Sequence, residues 1–373
     1  MSPTDTRQRL LSLDAFRGAT IAGMILVNNP GGGESYAQLQ HAAWSGWTMT
    51  DMIFPFFLMI MGVSMQFSFA RRMEEGKKNL DAHVLRRGAI LIALGILLNA
   101  FPFFDLATVR FPGVLQRIGV CYLVAGLLVL HSSFRCQVGW AVGVSVVYWA
   151  AMKLMTVPGY GAGVLEPVGN LCWWIDSNLF AGHTWAWAPA PGFDPEGLLS
   201  TLPSITTTMI GVFTGRWLRA DRRKEEKTAW MFLTGYALVL VGVVCDMWLP
   251  INKNLWTPSF AAFMGGWGLV CLGMFYWIID VKNRAGWAKP FVIFGMNAIA
   301  MYVFSELLAV ALWVVPAAGP TGARITLHDV VFAGFFAPLT DPRNSSLLFA
   351  LVFVLLCYLM SYFLWRKKWF IRI

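Results

Sequence analysis

Ten apolar runs punctuate this chain, at roughly 12–30, 51–70, 88–104, 113–132, 137–155, 198–219, 229–249, 258–280, 290–315 and 346–365. Each approaches the about 20 residues that an α-helix needs to cross the ~30 Å hydrocarbon core of a bilayer. In hydrocarbon every backbone N–H and C=O must find its partner within the chain, so runs of this length admit helices and little else. Only 13% of the residues are charged, against about 25% in a typical soluble domain. The expectation is an all-α, polytopic integral membrane bundle of about ten transmembrane helices. A further stretch, 325–338, is shorter and interrupted by His328 and Asp329. It is expected to be a re-entrant or interfacial helix.

The net charge of +9 would suit nucleic acid if it formed one patch. It does not. Of 29 Lys and Arg, 22 fall at the N-terminus, in 71–87, at Arg135, in 216–227, at Lys282, Arg284 and Lys289, or in the tail from Arg366. Arg7, Arg9, Lys77, Lys78 and Arg372 are among them, while Arg110, Lys253, Arg324 and Arg343 lie on the other side. This is the positive-inside pattern. It predicts an even number of spans, both termini cytoplasmic, a place in the cell inner membrane, and cytoplasmic basic loops at 71–87 and 216–227. Loops 30–51, 105–112, 156–197, 250–257 and 316–345 then face outward. Gly31-Gly32-Gly33 after the first run is not a small-x-small cleavage site, so that run is expected to be retained. The six cysteines form no C-x-x-C pair, which predicts neither a disulfide framework nor a metal site. With no internal repeat and no stretch long enough for a soluble domain, residues 1–373 are expected to form one transmembrane domain.

Residues 27–51 stand out. Asn29-Pro30 and three glycines end the first run, and Asp51 opens the second; Pro cannot continue a helix, and a carboxylate suits a helix start. Between them lie His41, Trp44 and Trp47. A hairpin there can gather Asn28, His41 and Asp51, and an imidazole oriented by a carboxylate beside an amide is a general-base or nucleophile arrangement. A plain surface histidine is the other reading.

Other polar groups sit at or inside spans. Asp14 and Arg17, three residues apart, share a helix face; they read as an edge ion pair, or Arg17 as a ligand. Gln116 and Arg117 near the start of the fourth run read as an interhelical bridge or as a ligand for phosphate or a carbonyl. Asp194 and Glu196 fit the start of the sixth run. Thr201, Ser204 and Thr208 line one face of it, as packing glue or as a cavity wall. Asn252, Lys253, Asn254 and Trp256 form a loop suited to a sugar, or simply an interfacial anchor. Asn297, Tyr302 and Glu306 lie inside the ninth run. Spacing alone leaves enzyme and transporter both open.

The ordered motifs Ser12-Leu13-Asp14-Ala15-Phe16-Arg17-Gly18, Val27-Asn28, His41-Ala42-Ala43-Trp44-Ser45-Gly46-Trp47-Thr48, Asp51-Met52-Ile53-Phe54-Pro55, Gly113-Val114-Leu115-Gln116-Arg117-Ile118-Gly119, Asp194-Pro195-Glu196-Gly197, Pro250-Ile251-Asn252-Lys253-Asn254-Leu255-Trp256 and Gly295-Met296-Asn297 resemble the heparan-α-glucosaminide N-acetyltransferase family and its bacterial relatives. The resemblance implies transfer of an acetyl group from cytoplasmic acetyl-CoA to an amino sugar on the far side of the bilayer. It matches the family's active-site histidine to His41 and its essential asparagine to Asn28. Asp51 is then expected to orient His41. Arg17, Gln116, Arg117 and Asn297 are candidates for the acetyl-CoA route, and Asp194, Glu196, Asn252, Asn254 and Trp256 for the sugar pocket. The expected partners are acetyl-CoA, an amino sugar and the lipid bilayer, with a homodimer allowed for and no nucleic acid. The animal enzyme's large extracytoplasmic N-terminal domain has no counterpart here, so a smaller acceptor is expected. An amino-sugar transporter, and an O-acyltransferase acting on an envelope polysaccharide, are the alternatives.

Overall fold

A computed structural model describes residues 10–76, 79–318 and 324–371; Arg7, Arg9, Lys77, Lys78 and Arg372 lie outside them, as does the side chain of Arg324. The described residues are 70% helical. In chain order the helices are α1 (Leu11–Asn28), α2 (Ile53–Glu74), α3 (Leu80–Ala100), α4 (Val114–His131), α5 (Phe134–Leu154), the short α6 (Leu171–Leu179), α7 (Leu198–Arg219), α8 (Lys224–Asp246), α9 (Pro258–Tyr276), α10 (Lys289–Met296), α11 (Ala298–Val314), α12 (Leu327–Val331) and α13 (Pro342–Arg366). Two antiparallel hairpins supply the only strands among the described residues, β1 (Thr156–Val157) with β2 (Gly161–Ala162) and β3 (Pro316–Ala318) with β4 (Arg324–Thr326).

All ten apolar runs are helical, and side chains satisfy several of the helix-start N–H groups that would otherwise be orphaned. Asn79 accepts from Ala82 N, Ser133 from Cys136 N, Asn170 from Trp173 N, and Asp341 from the backbone N–H of Arg343 and Asn344. Six helices are long and apolar enough to cross a membrane, and α10 with α11 makes a seventh if that pair is one span. Helices α1, α3 and α5 fall outside that set. They carry Asp14 and Arg17, Arg86 and Arg87, and Arg135 and Lys153.

The ninth run is not the single straight span expected. It bends by 71° between α10 and α11. The break is at Asn297, whose backbone leaves the helical region (φ −123°, ψ 35°). Its side-chain amide bonds the chain after α13 instead: Nδ2 donates to Trp369 O at 3.2 Å, and Oδ1 accepts from Ile371 N at 3.0 Å. The basic stretch 71–87 is also less of a loop than expected, because α3 begins at Leu80 and carries Arg86 and Arg87. The expected helix over 325–338 is present as α12 with a π-turn at Phe332–Phe336.

The helices group into two compact units. The first takes in the chain up to His41, Thr48–Ile53 and the chain from Cys271 on; the second takes in Ala42–Trp47 and Phe54–Val270. In the first, α1 packs along α10, with α11 and α13 also against it. The α1–α10 approach is so close that a Cβ on Gly18 would stand 1.7 Å from Phe291 O. In the second, α3 pairs with α4, and α7 packs on α4 and α5. There α2 meets α7 closely enough that a Cβ on Gly211 would stand 2.0 Å from Met59 O. Small residues permit such contacts, and close packing is what holds helices together where lipid offers no hydrophobic drive. Thr201, Ser204 and Thr208 are buried in α7, and Thr201 Oγ1 donates to Gly197 O at 2.8 Å. Ser204 Oγ lies 3.1 Å from Cys121 Sγ on α4. Of the two readings of this hydroxyl face, packing glue is the one these contacts support.

Candidate functional site

The loop between α1 and α2 is clipped shut at its neck. After the turn at Ala37–Leu39 the chain returns to a 3-10 turn at Met49–Met52. Gln38 holds both sides: its Oε1 accepts from Met49 N at 3.2 Å, and its carbonyl accepts from Thr50 Oγ1 at 3.2 Å. Thr48 Oγ1 donates to Gln40 O at 2.6 Å. Asp51 caps the turn, its Oδ2 accepting from Thr48 N at 3.1 Å and lying 3.2 Å from Thr48 Oγ1. The sequence ties Asp51 to a helix start, and this capping box is how the tie is made.

With Oδ2 so anchored, Asp51 Oδ1 meets His41 Nδ1 at 2.7 Å. The Asp51 side chain is 1% exposed, and that of His41 52%. A neighbouring carboxylate assigns the ring proton to Nδ1, which puts the neutral imidazole's lone pair on Nε2. A buried carboxylate orienting a half-exposed imidazole is the base–orienter pair of acyl-transfer enzymes. It can take a proton at Nε2, or attack a carbonyl carbon with the same lone pair.

Within the second unit, Ala42–Trp47 docks onto the loop after α8. Gly46 N donates to Ile251 O at 2.7 Å, Trp44 Nε1 donates to Leu165 O at 2.8 Å, and the Trp44 ring packs edge-on to Phe193 at 5.4 Å. The Trp47 ring packs on Phe263 at 5.2 Å, so both tryptophans have structural work. The loop that Gly46 bonds is strained: Trp256 has φ +47° and is 1% exposed. A positive φ at a bulky residue is an outlier that its surroundings must enforce. Here Trp256 Nε1 donates to Thr207 Oγ1 at 3.2 Å, and its ring sits between Phe54 and Phe260 at 5.1 and 5.3 Å. The Arg117 guanidinium lies 5.0 Å from the ring centre, within cation–π range.

Arg117 is wholly inside. Its Nη2 donates to Pro195 O at 2.8 Å and to Ser200 Oγ, while Nε and Nη1 are buried with no hydrogen-bond partner. Buried guanidinium N–H groups are rarely left unsatisfied, so this residue holds two donors in reserve.

Beside it, Arg110 forks onto Asp194 at 2.8 and 2.6 Å and reaches Glu196 at 2.5 Å. Asp194 also accepts from Trp185 N and Glu196 N, both at 2.9 Å. Burial opposes the Arg110 charge, but the two carboxylates outweigh it and push the guanidinium pKa up. Burial likewise opposes the charge on Glu196, yet Arg110, Arg117 and Lys253 together hold its carboxyl below the usual range. Asp176 on α6 is pushed up to about 7, first by burial. Its Oδ1 accepts from Leu198 N at 3.1 Å, at the start of α7.

The expected site residues therefore fare differently. His41 and Asp51 meet. Asn28 closes α1 and is exposed, and Thr48 N is one donor that anchors Asp51. Arg17 is ion-paired to Asp14 at 2.9 Å, and Gln116 Nε2 donates to Phe111 O at 3.1 Å. With Asn297 engaged by the C-terminal backbone, Arg117 is the one of the four acetyl-CoA candidates with buried donors unspent. Asn252 is fully buried, its Oδ1 capping Leu255 N at 2.9 Å; Asn254 is half-buried. The sequence reading did not single out Arg110, Asp176, Trp185 or Thr207. Arg110 had one visible signal, as the lone cation of residues 105–112.

Residues 9–245 match the family described as heparan-alpha-glucosaminide N-acetyltransferase, catalytic. The chain is 29% identical over 359 residues to the heparan-alpha-glucosaminide N-acetyltransferase of Mus musculus, covering 80% of this chain and 54% of the relative. Against the Homo sapiens protein of that name it is 29% identical over 356 residues, covering 80% and 53%. The chain spans about half the length of these curated relatives. The match to the catalytic family runs from the start of α1 to the end of α8 and takes in the His41–Asp51 pair and the Arg110–Arg117 cluster, so the chain belongs to the heparan-alpha-glucosaminide N-acetyltransferase family.

Proposed function

We propose that this protein is a membrane acetyltransferase that moves an acetyl group from acetyl-CoA, drawn from the cytoplasm, to the amino group of a glucosamine-type sugar on the opposite side of an inner membrane. The observation that carries the reading is the 2.7 Å contact between His41 Nδ1 and the buried Asp51 carboxylate, inside the matched region. Ten spans with both termini cytoplasmic would place the His41 loop outside, in keeping with the asymmetry of Lys and Arg.

Acetyl-CoA would supply an acyl carbon activated as a thioester. Arg117 Nε and Nη1 are suited to hold a carbonyl or phosphate oxygen. His41 Nε2 takes the proton from the neutral sugar amine as its nitrogen attacks; the new C–N bond forms, the C–S bond breaks, and the leaving thiolate takes that proton back from the imidazolium. In the two-step variant Nε2 first carries the acetyl group and the amine then displaces it. Asp51 holds the imidazole in the Nδ1–H tautomer and stabilises the imidazolium in either course. Asn28 is proposed to steady the ring or to donate to the oxyanion, worth roughly 3–4 kcal/mol in the second role. Glu196 and Asn254 are proposed to face the sugar, while Trp256, buried against Arg117, is proposed to shape the floor beneath it.

Sealed proteoliposomes test this reading, with acetyl-CoA on one side and glucosamine on the other. The expected result is N-acetylglucosamine on the sugar side and free CoA on the donor side. Uptake of unchanged glucosamine, independent of acetyl-CoA, would establish a transporter instead. Acetyl ester without amide would point to the O-acyltransferase.

A further inference from the structure

A large cavity of the second unit plays no part in the chemistry above. It is a groove of about 1160 Å³ walled by α5, α7, α8 and α9. Helix α8 lines it from Glu226 to Cys245. At 1.5 Å per residue that is about 28 Å, close to the ~30 Å hydrocarbon thickness. Its walls are set with apolar side chains such as Val138, Val142, Ile210, Leu238 and Val241. The hydroxyls along it are largely spent: Ser145 bonds Ala141 O at 2.9 Å and lies 3.2 Å from Thr206 Oγ1, and Thr214 bonds Ile210 O at 2.8 Å. A sugar or a nucleotide would leave its polar groups unpaired there. A hydrocarbon chain would not.

The two ends differ. One carries Trp217 and Trp230 with the Arg222–Glu226 pair, 3.7 Å apart. It opens beside residues 216–227, which hold six Lys and Arg against three Asp and Glu. Arg216, Arg219, Arg222, Arg223 and Lys224 are exposed there. The other end carries Trp248, with Asp246 nearby and no Lys or Arg from 228 to 252. Tryptophans at both ends mark the two interfaces, and a basic mouth between membrane helices is the setting in which anionic lipid headgroups are held.

We propose that the groove between α5, α7, α8 and α9 binds an anionic phospholipid, its acyl chains along the groove and its phosphate at the Arg222–Lys224 end. The proposal stands apart from acetyl transfer, and failure of either leaves the other intact.

Native mass spectrometry of the detergent-purified full chain tests it, with phosphatidylglycerol and phosphatidylcholine of identical chains offered at equal concentration. Retention of phosphatidylglycerol should exceed that of phosphatidylcholine by about tenfold. The double variant Arg222→Glu, Arg223→Glu should erase that preference. Thr234→Trp, or Val142→Phe from the opposite wall should the first not fold, should cut retention of both lipids several-fold. Equal retention of the two lipids by the wild type would overturn the proposal, and so would unchanged retention in a folded groove-filled variant. Displacement of phosphatidylglycerol by millimolar glycerol 3-phosphate would also overturn it, since that would mean a headgroup site without the groove.

Discussion

Replacing Asp51 by Asn changes one atom and should disable the imidazole. Thr48 N donates to Asp51 Oδ2 at 3.1 Å, so the variant's amide oxygen will take that position and leave its NH2 facing His41 Nδ1 at the present 2.7 Å. An NH2 donor there demands a lone pair on Nδ1, which moves the ring proton to Nε2 and removes the base. In serine proteases the same exchange costs about 10⁴ in kcat. The His41 side chain is 52% exposed and can turn in part to escape. General-base catalysis as a whole is worth about 10²–10⁴, so a loss of kcat of about 10²–10⁴ is expected, or about 2.7–5.4 kcal/mol of barrier. KM should stay within about threefold, since no sugar or CoA contact is removed. The assay is steady-state release of free CoA in nanodiscs, with a melting curve confirming that the cap survives. A folded Asp51→Asn protein within about twofold of wild-type kcat would refute the pair as the working base.

Other consequences are measurable as stability. Arg110→Ala strands the wholly buried Asp194 carboxylate and should cost about 3–5 kcal/mol; Arg110→Lys should recover only part, because one ammonium cannot fork across both oxygens, and denaturation midpoints in detergent decide. Asp176, with its carboxyl pushed up to about 7 by burial, binds its proton more tightly folded than unfolded. Its contribution is therefore full below the unfolded pKa near 4 and is lost as pH rises through about 7, so melting scans from pH 4 to 8 should fall in the wild type and flatten in Asp176→Asn. Gly18→Ala puts a methyl 1.7 Å from Phe291 O; it should separate α1 from α10 and abolish a monodisperse size-exclusion peak, whereas Gly33→Ala, with nothing within 4 Å of its Cβ, should leave that peak unchanged.

The sequence made the helices legible because a run of some 20 uncharged residues has one backbone solution in lipid. It made the His41–Asp51 pair legible for a related reason. A carboxylate at a helix start has its backbone duty fixed, and the hairpin that leads into it limits what its second oxygen can meet. The break at Asn297 was hidden, because its cause is hydrogen bonding to Trp369 and Ile371, some 70 residues away. The same applies to Arg110. Nothing local tells that its partners are Asp194 and Glu196, 84 and 86 residues on. Asp194 looked like a helix-start acid with a face to spare, yet the fold spends both its oxygens on Arg110 and backbone N–H groups. Trp256 likewise looked like an interfacial anchor or a sugar platform, and its burial beneath Arg117 needed the tertiary structure to be seen.

The central claim is that His41 carries an acetyl transfer to an amine. Purified wild-type protein and His41→Ala in nanodiscs, each given acetyl-CoA with and without glucosamine, test it most directly through free CoA and product mass. The account predicts sugar-dependent CoA release with stoichiometric N-acetylglucosamine from the wild type, and at most background from the folded variant. Equal turnover by the folded variant, or no amide product from the wild type with any amino sugar, would contradict it.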